Sequence, residues 1–375
     1  MADKIMLCDL RRQYAPLRDE IMTALDEVFT GMQLNLGPNV RAFEQEWANF
    51  CGVKHALGVD NGTDALMLAM HAYGIGKGDE VITPANTFIA VIEAIFEVGA
   101  TPVIVDIDPL SYSIDVGAMA AAITPRTRAI VPVHLYGIAA DMDAINAIAK
   151  PKGILVLEDA SQAHGAKYKG KHVGGLGDAA AFSLYYTKNL GAYGEAGIFT
   201  TNDEAIAQKI DMLRQHGASP TSRYSSTLSG FNSRLDEVQA VILRIKLKRL
   251  AEWNAQRNHW AARYTELLGD AVITPTIPAY TESSFYVYVI RTPQRDALKA
   301  KLLEANIESG IHYPLPLHMQ PICQHLGYRE GQFPVTEQYA KQILSLPMFA
   351  ELTDDDVQRV AATVVASVRD LSLVK

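Results

Sequence analysis

Apolar positions in the first part of the chain recur at helical spacing. Leu17, Ile21, Leu25 and Val28 share one face; after a break over 31–38, Val40, Phe43, Trp47 and Phe50 share another. From residue 56 the pattern changes. Short apolar runs at 56–59, 81–83, 102–106, 129–133, 154–157, 179–183 and 198–201 read as strands. Stretches 89–98, 141–149 and 204–214 between them read as amphipathic helices. Strands that are apolar throughout, alternating with helices, predict an α/β architecture: a mainly parallel sheet covered on both faces. A long helix is expected from 235 toward 268. Beyond it come a β-run over 285–291, a helix over 295–305, a strand over 307–311, a proline-stiffened loop over 313–318 and a last helix over 353–368. The predicted division is a large domain, 1–250, including the N-terminal helices, and a smaller α+β domain, 251–375.

With 375 residues, 49% of them hydrophobic and 20% charged, the chain is long enough for a large core and two domains. A net charge of −8 argues against nucleic acid as the main partner, because phosphate-backbone binding needs a basic face. Cys8, Cys51 and Cys323 are scattered without metal-ligand spacing and read as reduced thiols. The apolar runs are far too short to span a membrane, and no apolar signal core follows Met1. A cytoplasmic location without membrane attachment is expected.

Chemistry gathers at strand ends. The run 154–157 ends in Glu158 and Asp159, and the run 179–183 ends in Ser183 shortly before a single lysine, Lys188. In an α/β sheet ligands bind beyond the strand ends, so the acid and the lysine can share a pocket. Pyridoxal phosphate uses such a pair: a lysine amine for its Schiff base and an anion to keep its ring nitrogen protonated. In most proteins two such residues form an ion pair or do nothing. The turn after the run 56–59 brings Gly62 to a helix start, where Thr63 or Asp64 can cap and free N–H groups can hold an anion. Phe88 follows a strand end and can stack on a planar ring or belong to the core. The polar stretch 215–232, with Arg223, Tyr224 and Asn232, reads as a long functional loop.

Several stretches, in order along nearly the whole chain, resemble the DegT/DnrJ/EryC1/StrS sugar aminotransferases. They are Asn61-Gly62-Thr63-Asp64-Ala65-Leu66, Thr83-Pro84-Ala85-Asn86-Thr87-Phe88, Val133-His134-Leu135-Tyr136-Gly137, Glu158-Asp159 with Gln162-Ala163-His164-Gly165-Ala166, Thr187-Lys188-Asn189-Leu190-Gly191, Gly230-Phe231-Asn232-Ser233-Arg234-Leu235-Asp236 and His312-Tyr313-Pro314. The resemblance implies fold type I of the pyridoxal-phosphate enzymes, with a large sheet of roughly seven strands between helices. It implies roles too. Lys188 would form the imine and shuttle the proton. Asp159 would pair with the ring nitrogen, Phe88 would stack on the ring and Gln162 would reach its hydroxyl side. Gly62, Thr63 and Ser183 would hold the phosphate, joined by Asn232 from a neighbouring subunit, which implies a homodimer with shared sites. His134 and His164 would pack rather than catalyse. Three features depart from the family pattern: Tyr186 stands where proline is common, Ser161 where alanine is, and Gly194-Glu195-Ala196-Gly197 where Asp-Gly-Gly is expected.

The implied reaction moves an amino group from glutamate to a nucleotide-linked keto sugar. Resemblance over 230–234 and 241–247 points to a 3-keto-6-deoxyhexose on dTDP; a 4-keto or UDP-linked sugar is the alternative. Arg223, Lys248 and Arg329 are candidates for the diphosphate, and Tyr224 and His318 for the sugar. A non-catalytic regulator and a sugar dehydratase are the competing classes. The dehydratases of this family carry histidine at the lysine position.

Overall fold

The computed structural model describes residues 3–219 and 221–373, without the side chains of Arg223 and Ser372. Its central sheet has seven strands: β1 (His55–Val59), β2 (Glu80–Pro84), β3 (Thr101–Val105), β4 (Thr127–Ile130), β5 (Leu155–Asp159), β6 (Ala179–Ser183) and β7 (Gly197–Thr201). Across the sheet they run β1-β7-β6-β5-β4-β2-β3. Strands β2 to β6 pair in parallel, and β7 lies antiparallel between β1 and β6. An antiparallel neighbour needs no crossover helix. The β6–β7 connection is therefore a plain loop leaving the C-terminal end of β6, and Lys188 sits on it. The register Ser183↔Gly197 closes its neck.

Helices cover both faces, which is why β2 and β7 are buried at every position. The N-terminal helices are α1 (Arg18–Gly31) and α2 (Pro38–Cys51). Then come α3 (Gly62–Ala72), α4 (Ala90–Glu97), α5 (Met142–Ala149) and α6 (Glu204–Leu213). Phe43 and Trp47 of α2 pack with Phe182 of β6 and Ile145 of α5 on one face. Leu66 and Met70 of α3, Ile95 of α4 and Ile210 of α6 fill the other. Truncating one of these aromatics to alanine would cost about 3–5 kcal/mol.

Four expectations need correction. The helix predicted from 235 to 268 is two helices, α7 (Glu237–Leu247) and α8 (Leu250–Leu268), broken without glycine or proline. The stretch 215–232 is not a bare loop, for it holds the hairpin Ala218–Ser219 with Ser222–Ser226. Residues 307–311 form only isolated bridges, Ile5↔Ile307 and Gly310↔Ser345. The cap of α3 is neither Thr63 nor Asp64 but Asn61, whose side chain accepts the Asp64 N–H.

A further core joins Tyr264 of α8 to β8 (Tyr288–Arg291), α9 (Arg295–Glu304), β9 (Ile343–Leu346) and α10 (Asp354–Leu373), through Tyr288, Leu298, Leu344 and Val360. Ile5 from the N-terminal segment is part of it. Among the described residues no helix is long and apolar enough to cross a membrane.

Candidate functional site

Strands β1, β5 and β6 end at the same edge of the sheet, and the site is built there. Side chains alternate along a strand, so Glu158 and Asp159 at the end of β5 point to opposite faces. Glu158 is sealed inside. Its Oε1 accepts the N–H groups of Leu176 (2.7 Å) and Gly177 (2.8 Å), and its Oε2 accepts Gly174 N–H (2.9 Å) and meets His134 Nε2 at 2.9 Å. His134 Nδ1 accepts Ala140 N–H (3.1 Å), so the ring carries its proton on Nε2 and donates it to Glu158. Burial alone would push the Glu158 carboxyl up; His134 and the backbone donors outweigh it and hold it below the usual range. Glu158 therefore serves the framework. Asp159 accepts Ser161 N–H (3.1 Å), and its backbone is clamped between Pro132 O (2.9 Å) and His134 N–H (3.0 Å).

At the end of β1 the chain turns into α3. Once Asn61 has taken Asp64 N–H, no hydrogen bond among the described residues takes up the N–H groups of Gly62 and Thr63. A Cβ at Gly62 would lie 2.7 Å from Ser183 Cβ, so this helix start rests directly on the end of β6. Gly197 is as cramped: a Cβ there would run into Asn61 O. Ser183 N–H donates to Ser161 Oγ (3.2 Å), and Ser183 Oγ accepts Tyr185 N–H (3.3 Å). Free backbone donors at a helix N-terminus, flanked by serine hydroxyls, make an anion cradle.

Lys188 follows on the β6–β7 loop, tied by Lys188 N–H to Tyr185 O (2.8 Å) and Ala192 N–H to Leu184 O (2.8 Å). Its Nζ lies 4.5 Å from the ring centroid of Tyr286. Burial, aided by the charge on Lys188, pushes His164 down to about 3 and His312 down to about 4. His164 is packed against Trp47 and Phe182, so it is a neutral wall residue. Gln162 bridges the site: its Oε1 accepts Tyr136 N–H (2.8 Å) and its Nε2 donates to the Tyr313 hydroxyl (3.0 Å). Phe88, 53% exposed, leans on Tyr313 with ring centroids 5.6 Å apart. Burial holds the Tyr313 hydroxyl well above its usual range, and the negative charge of Asp159 pushes the same way. Lys188 thus stands against Tyr286, and the charge of Asp159 is felt at Tyr313.

The remaining predicted residues stand apart from this group. Asn232 is exposed and pairs through its backbone with Gln215. Tyr224 is 94% exposed on the hairpin; Arg223 precedes it there, with its side chain outside the described residues. His318 is buried, bonded to Glu337 Oε1 at 3.0 Å and packed on Phe333, so it does not line this site. Arg329 is exposed beside Gln332, and Lys248 pairs with Glu20 at 3.4 Å. A cleft of about 1100 Å³ between α2, α6 and the hairpin, lined by Arg41, His55, Asp211 and Arg234, contains none of the predicted residues. Sequence reasoning missed Tyr286, and it quoted Tyr136 and Tyr313 within motifs without assigning them a role. The signal was slight: Tyr286 lies in an aromatic β-run.

Comparison with known proteins shows the family and fold. The model of the DegT/DnrJ/EryC1/StrS aminotransferase family matches residues 16–365. The chain is 49% identical over 360 residues to the pleiotropic regulatory protein of Geobacillus stearothermophilus, covering 95% of this chain and 96% of that one. It is 45% identical over 361 residues to the UDP-N-acetyl-3-dehydro-alpha-D-glucosamine 3-aminotransferase of Acidithiobacillus ferrooxidans, covering 96% and 97%. It is 44% identical over 358 residues to the dTDP-3-amino-3,4,6-trideoxy-alpha-D-glucose transaminase of Micromonospora megalomicea, covering 94% and 96%. The crystal structure of S. venezuelae DesV in complex with a ketimine intermediate superposes with a TM-score of 0.95 at 40% identity, covering 98% and 99%.

Proposed function

As a member of the DegT/DnrJ/EryC1/StrS aminotransferase family, this chain is an enzyme of the transferase class, and we propose that it moves an amino group from glutamate to a nucleotide-linked keto sugar with pyridoxal phosphate as cofactor. The observation that carries the reading is the meeting of three parts at one sheet edge. They are an anion cradle at Gly62, an amine at Lys188 resting on Tyr286, and the Asp159 carboxylate at the end of β5. When bound, pyridoxal phosphate supplies an aldehyde that carries the migrating nitrogen and a ring that takes up carbanion charge.

The chain's residues fit that group. The N–H groups of Gly62 and Thr63 and the Ser183 hydroxyl would hold its phosphate, and a side chain at Gly62 would fill the cradle. Asp159 would keep its ring nitrogen protonated. Phe88 would provide the stacking surface, and Gln162, oriented by Tyr136 and Tyr313, would serve its hydroxyl side. Lys188 Nζ would supply the imine-forming amine and act as the proton carrier at the substrate Cα. Asn232, exposed on its own subunit, reaches the phosphate of a second copy in a homodimer. The enzyme works in the cytoplasm, and its domains divide near residue 250.

The favoured substrate is a dTDP-linked 3-keto-6-deoxyhexose, supported by the relative from M. megalomicea. The relative from A. ferrooxidans supports a UDP-linked 3-keto sugar as the second reading. Tyr224 and Arg329, both exposed, are kept as candidates for the nucleotide and sugar, with Arg223 beside Tyr224 in sequence; His318, bonded to Glu337, is left out of the substrate site. A purely regulatory role, suggested by the name of the G. stearothermophilus relative, sits poorly with a retained Lys188, Asp159 and cradle. The test is incubation of wild type and Lys188→Ala with cofactor, glutamate and a panel of dTDP- and UDP-keto sugars, read by mass spectrometry. Amine product from wild type alone is expected. Turnover by Lys188→Ala would overturn the assignment.

A further inference from the structure

Two buried cations lie outside the group described above. Lys246 on α7 is completely covered, and Arg257 on α8 nearly so. Burying charge is costly unless it finds partners, so what these cations touch is informative. Lys246 Nζ donates to Gly191 O and lies 4.7 Å from the ring centroid of Tyr193 and 6.0 Å from that of Trp253. Arg257 Nη1 donates to the carbonyls of Phe285 (3.1 Å), Tyr286 (3.3 Å) and Met348 (3.0 Å).

Most of these carbonyls belong to the segments that hold Lys188. Gly191 ends the tight part of the β6–β7 loop, where a Cβ would lie 2.6 Å from the carbonyl oxygens of Tyr185 and Tyr186. Tyr286 is the ring beside Lys188 Nζ. Asn189 links the two segments, its amide donating to Ser284 O (2.7 Å) and Asn254 Oδ1 (2.9 Å). Burial pushes Lys246 down to about 7, against the pull of Cys8 and Glu351. A neutral amine still has N–H donors, so its hold on Gly191 does not depend on charge.

We propose that Lys246 is a positioning residue for Lys188: it anchors the Gly191 end of the loop while Arg257 anchors Tyr286, so that α7 and α8 together set where the Lys188 amine sits. This rests on Lys188 being the reacting amine. Misplacement of a reacting group by about 1 Å costs on the order of 10²-fold.

The test compares wild type, Lys246→Met, Lys246→Arg and a surface control, Lys301→Met, whose side chain pairs with Glu304. Fold is checked by circular dichroism. Each protein is mixed with pyridoxal phosphate and borohydride, and the rate of trapping at Lys188 is followed by peptide mass. In Lys246→Met, trapping and kcat are expected to fall about 10–100-fold while KM for glutamate stays within about threefold. Lys246→Arg, which keeps a donor, recovers most of both. A folded Lys246→Met with wild-type trapping and kcat overturns the proposal. Should it not fold, Lys246→Gln decides, because its side chain is one bond shorter and draws the donor back from Gly191 O; wild-type trapping there overturns the proposal too. If wild type traps nothing at Lys188, the aminotransferase reading falls instead.

Discussion

Replacing Glu158 by glutamine isolates how the end of β5 is held. The carboxylate accepts from four donors, two on each oxygen. Glutamine must put its NH2 at one of the two oxygen positions. At Oε1 it faces the N–H groups of Leu176 and Gly177. At Oε2 it faces Gly174 N–H and His134; if His134 moves its proton to Nδ1 to accept, Ala140 N–H loses its partner instead. Either way two buried donors are stranded. Each costs about 1–3 kcal/mol, so the expected loss is about 2–6 kcal/mol. Urea unfolding followed by circular dichroism measures it, with the slope compared to confirm that only stability changed. A loss under about 0.5 kcal/mol would refute the hydrogen-bond accounting. The acid side of the stability curve gives a second check. Because the Glu158 pKa is lowered in the folded protein, its contribution is complete above the ordinary carboxyl range and disappears as pH drops through the lower folded value. Wild type should lose this stability in acid, and Glu158→Gln should show a flatter acid limb.

Asp159→Asn keeps the shape of the strand end, so stability should stay near wild type while kcat drops on the order of 10²-fold, the scale of losing one preorganised electrostatic contact; a rate within about threefold of wild type would count against Asp159 as the partner of the ring nitrogen. Gly62→Ala forces a methyl to within 2.7 Å of Ser183 Cβ. Cofactor affinity, titrated by absorbance, should weaken by about tenfold or more, and unchanged affinity would remove Gly62 from the cradle.

Much of the sheet was legible because its signals are local. Continuous apolar runs marked the strands, and the acid at the end of 154–157 and the serine at the end of 179–183 stand at strand ends in the structure. The motif around Lys188 likewise singled out that residue without any knowledge of its neighbours. Other features were not readable, for physical reasons. The break between α7 and α8 has no glycine or proline to announce it. Asn61 won the cap of α3 over Thr63 and Asp64 through backbone geometry that composition does not encode. His318 looked free to meet a sugar but is pinned by Glu337, a contact between segments rather than within one.

By itself, then, the order of residues determined which chemistry is present: one amine, one strand-end acid, a glycine at a helix start. Only the tertiary structure decided what surrounds them. Tyr286 and Tyr313 reach the site from the C-terminal part of the chain, and Lys246 and Arg257 support it from two further helices. These contacts join residues far apart in the chain, so no periodicity or motif spacing carries them. They exist only once the sheet edge, the broken helix pair and the C-terminal segment have packed against one another.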